Sequence, residues 1–395
     1  MIVALLAVVL LIVGALHWYL WKRLVKDTTR TRRARRIGTA LVVLLALVIP
    51  ATLALSRTLP HSRQALVAWP GFLWLALMFY LLVTLLILEI PRLALRLWKR
   101  PAKVVAAAVD VVEAPAAPEE DVSESRRLFL GRSLAATAGV LSASAVGIGA
   151  YQALGPPNLK RVPIRLAKLP ASMDGFRIAL VSDIHLGPLL GRAHTERIVR
   201  MINGVEADLV AIVGDLVDGT VAELGPAAEP LQDLRARHGS FFVTGNHEYF
   251  SGYREWVDEV NSFGVRVLRN ERLEIQGLDL AGVNDATGGG SGDAPDYAKA
   301  LDGRDAARPV VLLAHQPVQA HEAAKRGVDL QLSGHTHGGQ MVPFNLLVGL
   351  QQPVVAGLGK VGGTQVYVTR GAGFWGPPVR FGAPPDISVV ELHGA

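Results

Sequence analysis

Asp183-Ile-His185, Gly214-Asp215, Gly245-Asn246-His247-Glu248, His315 and Gly334-His335-Thr336-His337 are five short clusters of hard or borderline ligands in a chain of 395 residues. Carboxylates, imidazoles and an amide are the donors that suit divalent cations. Two such ions roughly 3.5–4 Å apart need a shared anionic oxygen and flanking imidazole or amide ligands that leave positions open for water and substrate. In Asp183-x-His185 a turn breaks strand alternation, so both side chains can converge on one ion. His335 and His337, also two apart, can reach different ions from one loop. Each cluster alone says little: Gly-Asp pairs are commonplace, and a lone histidine such as His194, His238 or His321 reads as an ordinary surface or core residue. Their order is the signal.

The elements around them read as a repeating scheme. Strands are expected at 177–182, 209–213, 240–243, 278–283, 310–313, 330–332, 365–369 and 387–391, and helices near 193–203, 226–235, 253–263 and 319–325. Five of these strands run straight into the five clusters, and the carboxyl ends of strands are where α/β sheets gather their sites. So many strands in about 240 residues predict an α/β architecture with more than one sheet layer.

The composition requires something besides this domain. Half of the residues are hydrophobic and only 19% are charged, an unusual balance for a purely soluble protein. Apolar runs at 1–21, 37–56 and 69–90 have the length of membrane-spanning helices. A fourth, 128–153, is richer in Ala, Gly and Ser; we read it as a span, the alternative being a buried helix docked on the domain. The domain organisation expected is three transmembrane helices in 1–100, a cytoplasmic linker at 101–127, the fourth run at 128–153 and the catalytic domain at 154–395.

Charge divides the same way. Residues 1–152 hold 18 Lys/Arg against 8 Asp/Glu, a balance of +10, and residues 153–395 hold 22 against 26, a balance of −4. The basicity belongs to membrane flanks, and the C-terminal domain has no electrostatic case for nucleic acid. Basic loops follow the first and third runs, which places both in the cytoplasm and the catalytic domain outside it, in a multi-pass protein of the cell membrane. If the fourth run does not cross, the domain lies in the cytoplasm instead. Ser125-Arg126-Arg127-Leu128-Phe129-Leu130 resembles the twin-arginine export signal, which would make that translocation machinery a partner. Paired arginines also flank membrane helices without being signals. The absence of cysteine excludes disulfides, thiol nucleophiles and thiolate metal sites.

The ordered set Asp-x-His, Gly-Asp, Gly-Asn-His-Glu, His and Gly-His-Thr-His resembles the calcineurin-like metallophosphoesterase superfamily over roughly residues 160–392. The string Gly334-His-Thr-His-Gly-Gly-Gln340 and the leader most resemble its membrane-associated bacterial phosphodiesterase and UDP-2,3-diacylglucosamine hydrolase-like branch. The resemblance implies a two-sheet β-sandwich flanked by helices (αββα). It also implies a cofactor of two divalent ions such as Mn, Fe or Zn, with Asp183, His185 and His337 on the first, Asn246, His315 and His335 on the second and Asp215 bridging. His247 would contact the phosphate and protonate the leaving oxygen, and the nucleophile would be a metal-bound hydroxide. Asp218 stands where the purple acid phosphatases carry a tyrosine, so a tyrosinate-bound ferric ion is not expected; we read Asp218 as a turn residue, the alternative being that it holds a metal ligand in place.

The resemblance implies hydrolysis of a phosphodiester or diphosphate, and membrane placement favours a lipid-linked substrate. The alternative is a tethered phosphatase or nucleotide phosphodiesterase acting on soluble substrates. A non-catalytic scaffold would be expected to have lost ligands, and this set is complete. Residues Pro343–Leu350 and Phe374-Trp375 are apolar and close to the site in sequence. We expect Leu346, Leu347 and Val348 to pack in the core, the other reading being contact with a bilayer or an acyl chain.

Overall fold

The computed structural model describes residues 2–98 and 119–394, which divide into two compact units, residues 1–59 with 66–147 and residues 60–65 with 148–395. The first is helical: α1 (Ile2–Leu20), α2 (Arg32–Thr58) and most of α3 (His61–Trp98) and of α4 (Glu119–Leu154). Its small interior joins Leu20, Met78, Leu81, Leu85 and Ala138. Arg23 pairs with Asp27 at 3.0 Å and Glu89 at 2.6 Å, so charges near the helix ends are matched. Much of the remaining apolar surface faces outward, Leu11 being 73% and Leu44 60% exposed. In water such helices would be unstable; an all-round apolar helix belongs in lipid. Among the described residues, Arg32–Ser56, His61–Pro91 and Ser125–Leu154 are long and apolar enough to cross a membrane. Residues 101–118 of the expected linker lie outside the described residues, and residues 119–127, expected to belong to it, are helical as the start of α4.

The second unit contains twelve strands and seven α-helices among the described residues: β1 (Asn158–Arg165), β2 (Phe176–Val181), α5 (Arg192–Asn203), β3 (Leu209–Val213), α6 (Val221–Ala228), β4 (Ser240–Val243), α7 (Asn246–Ser251), α8 (Tyr253–Ser262), β5 (Val265–Val267), β6 (Glu271–Ile275), β7 (Leu278–Gly282), α9 (Tyr297–Leu301), β8 (Val310–Leu313), α10 (Ala320–Lys325), β9 (Leu330–Ser333), α11 (Asn345–Val348), β10 (Gly357–Val361), β11 (Thr364–Val368) and β12 (Asp386–His393). They form two six-stranded sheets, ordered β1-β12-β2-β3-β4-β5 and β10-β11-β9-β8-β7-β6. Strands β2 to β5 are mutually parallel, as are β7, β8, β9 and β11. The centre of each sheet is therefore parallel, and that explains the sequence pattern. Leu209-Val-Ala-Ile-Val213 is apolar throughout because both of its faces are covered, and all five residues are buried.

Inner faces of the two sheets share one core, in which Leu180, Ala211, Val213 and Val243 from the first meet Leu280, Val311, Leu313 and Leu332 from the second. The outer face of the first sheet packs on Ile198, Val199 and Ile202 of α5 and on Trp256, Val257 and Val260 of α8. The outer face of the second packs on Ala300 and Leu301 of α9 and Ala323 of α10. Helix, sheet, sheet, helix is thus the layer order, the two-sheet sandwich expected above.

The expected strands are present with ends moved by a residue or two, whereas β1, β5, β6 and β10 were not anticipated. Each lacks an apolar run: β6 is Glu-Arg-Leu-Glu-Ile, β10 is Gly-Leu-Gly-Lys-Val, and β1 contains Pro163 and lies at a sheet edge where a missing N–H is tolerated. The helix expected at 226–235 begins earlier, at Val221, where Thr220 and Glu223 form a capping box, and a 3₁₀ turn follows at Glu229–Asp233.

Candidate metal centre

Every sequence-predicted site residue lies in the loop that leaves a strand of the parallel region. Asp183 and His185 follow β2, Asp215 follows β3, Asn246 and His247 begin α7 after β4, His315 follows β8, and His335 and His337 follow β9. Both sheets deliver these ends to one place. Ligand atoms of Asp183, His185 and His337 lie within 4.8 Å of one another, as do those of Asp215, His315 and His335, and of His185, Asp215 and His247.

Individual distances describe a compact cluster of donors. His185 Nε2 and His337 Nε2 are 3.0 Å apart, and His337 Nε2 is 3.4 Å from Asp183 Oδ1. His315 Nε2 is 3.1 Å from Asp215 Oδ2. Asn246 Oδ1 lies 2.9 Å from His335 Nδ1 and 3.2 Å from His315 Nε2. The far ring nitrogens are anchored: His315 Nδ1 donates to Val213 O at 2.7 Å, and Arg380 Nη1 donates to His337 Nδ1 at 2.8 Å.

The loops are bent to make this convergence. Asp183, His185, Asp215, His335 and His337 all adopt positive φ, between 49° and 70°. Non-glycine residues there cost about 1 kcal/mol or more each, so the surrounding backbone must hold them; Asp183 N donates to Gly214 O at 3.0 Å and His185 N to Asp215 O at 3.2 Å. The glycines of the motifs have a related reason. A Cβ on Gly214 (φ 84°) would sit 2.6 Å from Gly245 N and 2.7 Å from His315 Nδ1, and one on Gly334 would collide with Ser182 and Asp183. Glu248, fully buried, accepts from Leu216 N at 2.8 Å, Asp215 N at 3.0 Å and Gly245 N at 2.6 Å, pinning the β3 and β4 loops together.

Electrostatics fit a cation. Burial and the facing Asp215 carboxylate push Asp183 above the usual carboxylate range. Burial opposes charge on His185, yet Asp218, Asp215 and Asp183 lift it to about 9, and His315, also buried, is raised well above its ordinary value chiefly by Asp215. Burial, with His315 next, lowers His335 to about 3; burial, His185 and Arg380 hold His337 well below its ordinary value. The outcome is two imidazoles that stay neutral and two that hold protons only because carboxylates face them. Divalent ions would replace those protons as the positive partners of the carboxylates.

Asp218 corrects the turn reading. Its Oδ1 lies 3.0 Å from His185 Nδ1 and 2.6 Å from His247 Nδ1, so one carboxylate orients two histidines. Against the penalty of burial, those imidazoles hold Asp218 at about 2, and Asp218 with Asp215 raises His247 despite its burial. Only its position three residues after Asp215 hinted at this. Arg380, wholly buried and 43 residues beyond His337, carried no sequence signal.

Two aromatic rings flank His247 at 5.8 Å, Phe250 and Trp375, which are 71% and 59% exposed. The expected core packing after the final histidine pair is also overturned. Leu346 is 69% and Leu347 57% exposed, and no residue of α11 is buried. A four-residue helix has too little apolar stripe to bury against the sandwich.

Residues 176–339 match the family described as calcineurin-like phosphoesterase. A Danio rerio protein described as a transmembrane protein with metallophosphoesterase domain is 36% identical over 408 residues, covering 98% of this chain and 88% of the relative. A Helicobacter pylori protein described as an uncharacterized metallophosphoesterase is 42% identical over 247 residues, 62% of this chain and 66% of the relative, so that match spans just under two thirds of the relative's length. An Aquifex aeolicus protein of the same description is 36% identical over 258 residues, 63% of this chain and 98% of the relative.

Proposed function

The chain belongs to the calcineurin-like metallophosphoesterase family, and from that premise we propose that it is a membrane-bound, metal-dependent hydrolase of phosphodiester or diphosphate bonds in a lipid-linked substrate. The observation that carries the hydrolase reading is the convergence of eight donor side chains from five loops on one small volume. Asp183, His185 and His337 would hold one divalent ion, Asn246, His315 and His335 a second, and Asp215 would touch both. Bound ions would supply Lewis acidity toward the phosphoryl oxygens and lower the pKa of a water.

The chain's own contribution is positional. His247 is more exposed than His185, His315 or His337, with Nδ1 held by Asp218 and its ring between Phe250 and Trp375. Its raised proton affinity suits a group that delivers a proton to a departing oxygen. The two aromatic rings give that departing side an apolar lining, which supports a leaving group with apolar bulk.

Membrane association is supported by the three apolar helices and by the transmembrane description of the Danio rerio relative. The distribution of Lys and Arg supports a catalytic unit on the extracytoplasmic side, reached through the twin-arginine machinery, in a multi-pass arrangement. The test is hydrolysis by the full chain in vesicles, with and without added Mn, Fe or Zn, of a lipid-linked phosphodiester and of soluble bis-p-nitrophenyl phosphate. Metal-dependent turnover that is faster on the lipid-linked compound is expected. Equal or slower turnover on it would assign the enzyme to soluble phosphoesters, and metal-independent turnover would overturn the mechanism.

A further inference from the structure

We propose that the segment from Phe344 to Leu350 is a bilayer-docking surface that inserts its side chains into the interfacial layer of a lipid membrane beside the catalytic mouth. Phe344, Leu346, Leu347 and Leu350 are 46%, 69%, 57% and 81% exposed. Four large apolar side chains within seven residues are more than the scattered exposure ordinary on a water-facing surface. Outside the stretch from Ile148 to Leu159, the exposed large apolar residues among the described residues of this unit are this quartet, Leu358, and the pair beside His247. Exposure is therefore concentrated in few places, and one of them is beside His247.

Two observations select lipid as the occupant. The first is position relative to the site: Gly339, two residues after His337, approaches Asn345 so closely that a Cβ would collide with it, so α11 is seated on the turn that carries a candidate ligand. The second is continuity with α4, whose Ser125–Leu154 portion is long and apolar enough to cross a membrane. Val342 N donates to Phe381 O at 3.0 Å, and Arg380 N donates to Gly149 O at 2.9 Å. A Cβ on Gly149 would lie 2.5 Å from Val379 and 3.0 Å from Phe381 N. The last turns of α4 are thus joined through residues 379–381 to the strand of chain that presents Leu346 and Leu347. Residues 148–154, the end of that candidate span, belong to the same compact unit as this segment and are fastened to it, which favours lipid as the occupant. Short amphipathic elements in that position bind by burying leucine and aromatic side chains at the headgroup boundary. The inference goes beyond the hydrolase reading and does not depend on which phosphoester is cleaved.

The absence of native cysteine makes a direct test available. Full-length Leu347→Cys, labelled with an environment-sensitive nitrobenzoxadiazole probe, is reconstituted into phosphatidylcholine and phosphatidylglycerol vesicles. Leu350→Cys serves as the second reporter. Ala306→Cys is the reference, being exposed in the turn ahead of β8, at the opposite end of that strand from His315. The expected result is blue-shifted emission at 347 and 350, with about twofold or greater quenching by nitroxide-bearing lipid and little by aqueous iodide, and the reverse at 306. Iodide quenching at 347 and 350 equal to that at 306, without nitroxide quenching, would overturn the proposal. The readout needs no turnover, so an inactive preparation still reports depth, and failure of the hydrolase reading would appear only in the hydrolysis assay.

Discussion

The two sheets of the catalytic unit contribute unequally to its centre. Loops of the first, after β2, β3 and β4, supply Asp183, Asp215, Asp218, Asn246, His185 and His247. Loops of the second, after β8 and β9, supply His315, His335 and His337. All the carboxylates come from one side, and the other brings imidazoles. Proton affinity nevertheless does not follow sheet membership. His315 from the second sheet is raised because it meets Asp215 at 3.1 Å, whereas burial dominates at His335 and His337. The difference teaches that distance to a carboxylate sets the charge on each histidine, and that the centre exists only when both sets of loops close on one another.

The largest expected effect comes from removing the carboxylate that faces the second sheet. Asp215→Asn should lower turnover by about 10³-fold and reduce bound metal, because His315 loses its anionic partner and the proposed metal site loses the carboxylate assigned to bridge it. Full metal content with normal turnover would break the division of labour drawn between the sheets. His247→Gln should lower turnover by roughly 10²-fold or more while leaving metal content intact. The deficit should shrink for p-nitrophenyl esters, whose leaving group needs no proton; an equal deficit on all esters would remove the acid role. Asp218→Asn should cost about 10- to 100-fold, the range for a group that orients ligands without being one. Since Asp218 helps raise His247, the substitution should also move the alkaline decline of activity to lower pH; an unmoved profile would mean that Asp218 positions His185 alone.

The smallest effect lies outside the centre and sharpens the contrast. His194 on α5 is lowered to about 4, by burial first and Arg197 second, much as His335 is lowered, but it belongs to none of the three donor groups. Its folded value lies below the unfolded one near 6.5, so the unfolded chain takes up the proton more readily. The stability it leaves intact above pH 6.5 is lost as pH falls from there toward about 4. At pH 5.5 this amounts to about 1 kcal/mol, which His194→Gln should remove. Urea unfolding at pH 7.5 and 5.5 would measure it, and an unchanged pH difference in the variant would assign the acid sensitivity elsewhere.

Much of this centre was legible in the sequence because each piece is local. An apolar run that ends in Gly-Asp or Gly-His-Thr-His declares a buried strand, a tight turn and a ligand within about eight residues, and glycine is demanded there by contacts a Cβ could not survive. The charge split likewise separated a basic membrane region from an acidic catalytic one without any structure. Illegible were features whose meaning depends on residues far along the chain. Asp218 resembles any turn aspartate until the loops after β2 and β4 bring His185 and His247 to the same oxygen. Arg380 gains its role only when β11 and β12 deliver it behind His337, and β12 itself sits between β1 and β2, a pairing across more than 200 residues that no local pattern encodes.

The same reasoning separates the leucines. Sequence alone determined that residues 344–350 are apolar, and local preference suggested burial. Only tertiary structure decided that they stay exposed, because the sandwich core is already filled by its two inner faces and the Gly339 turn holds α11 outside it.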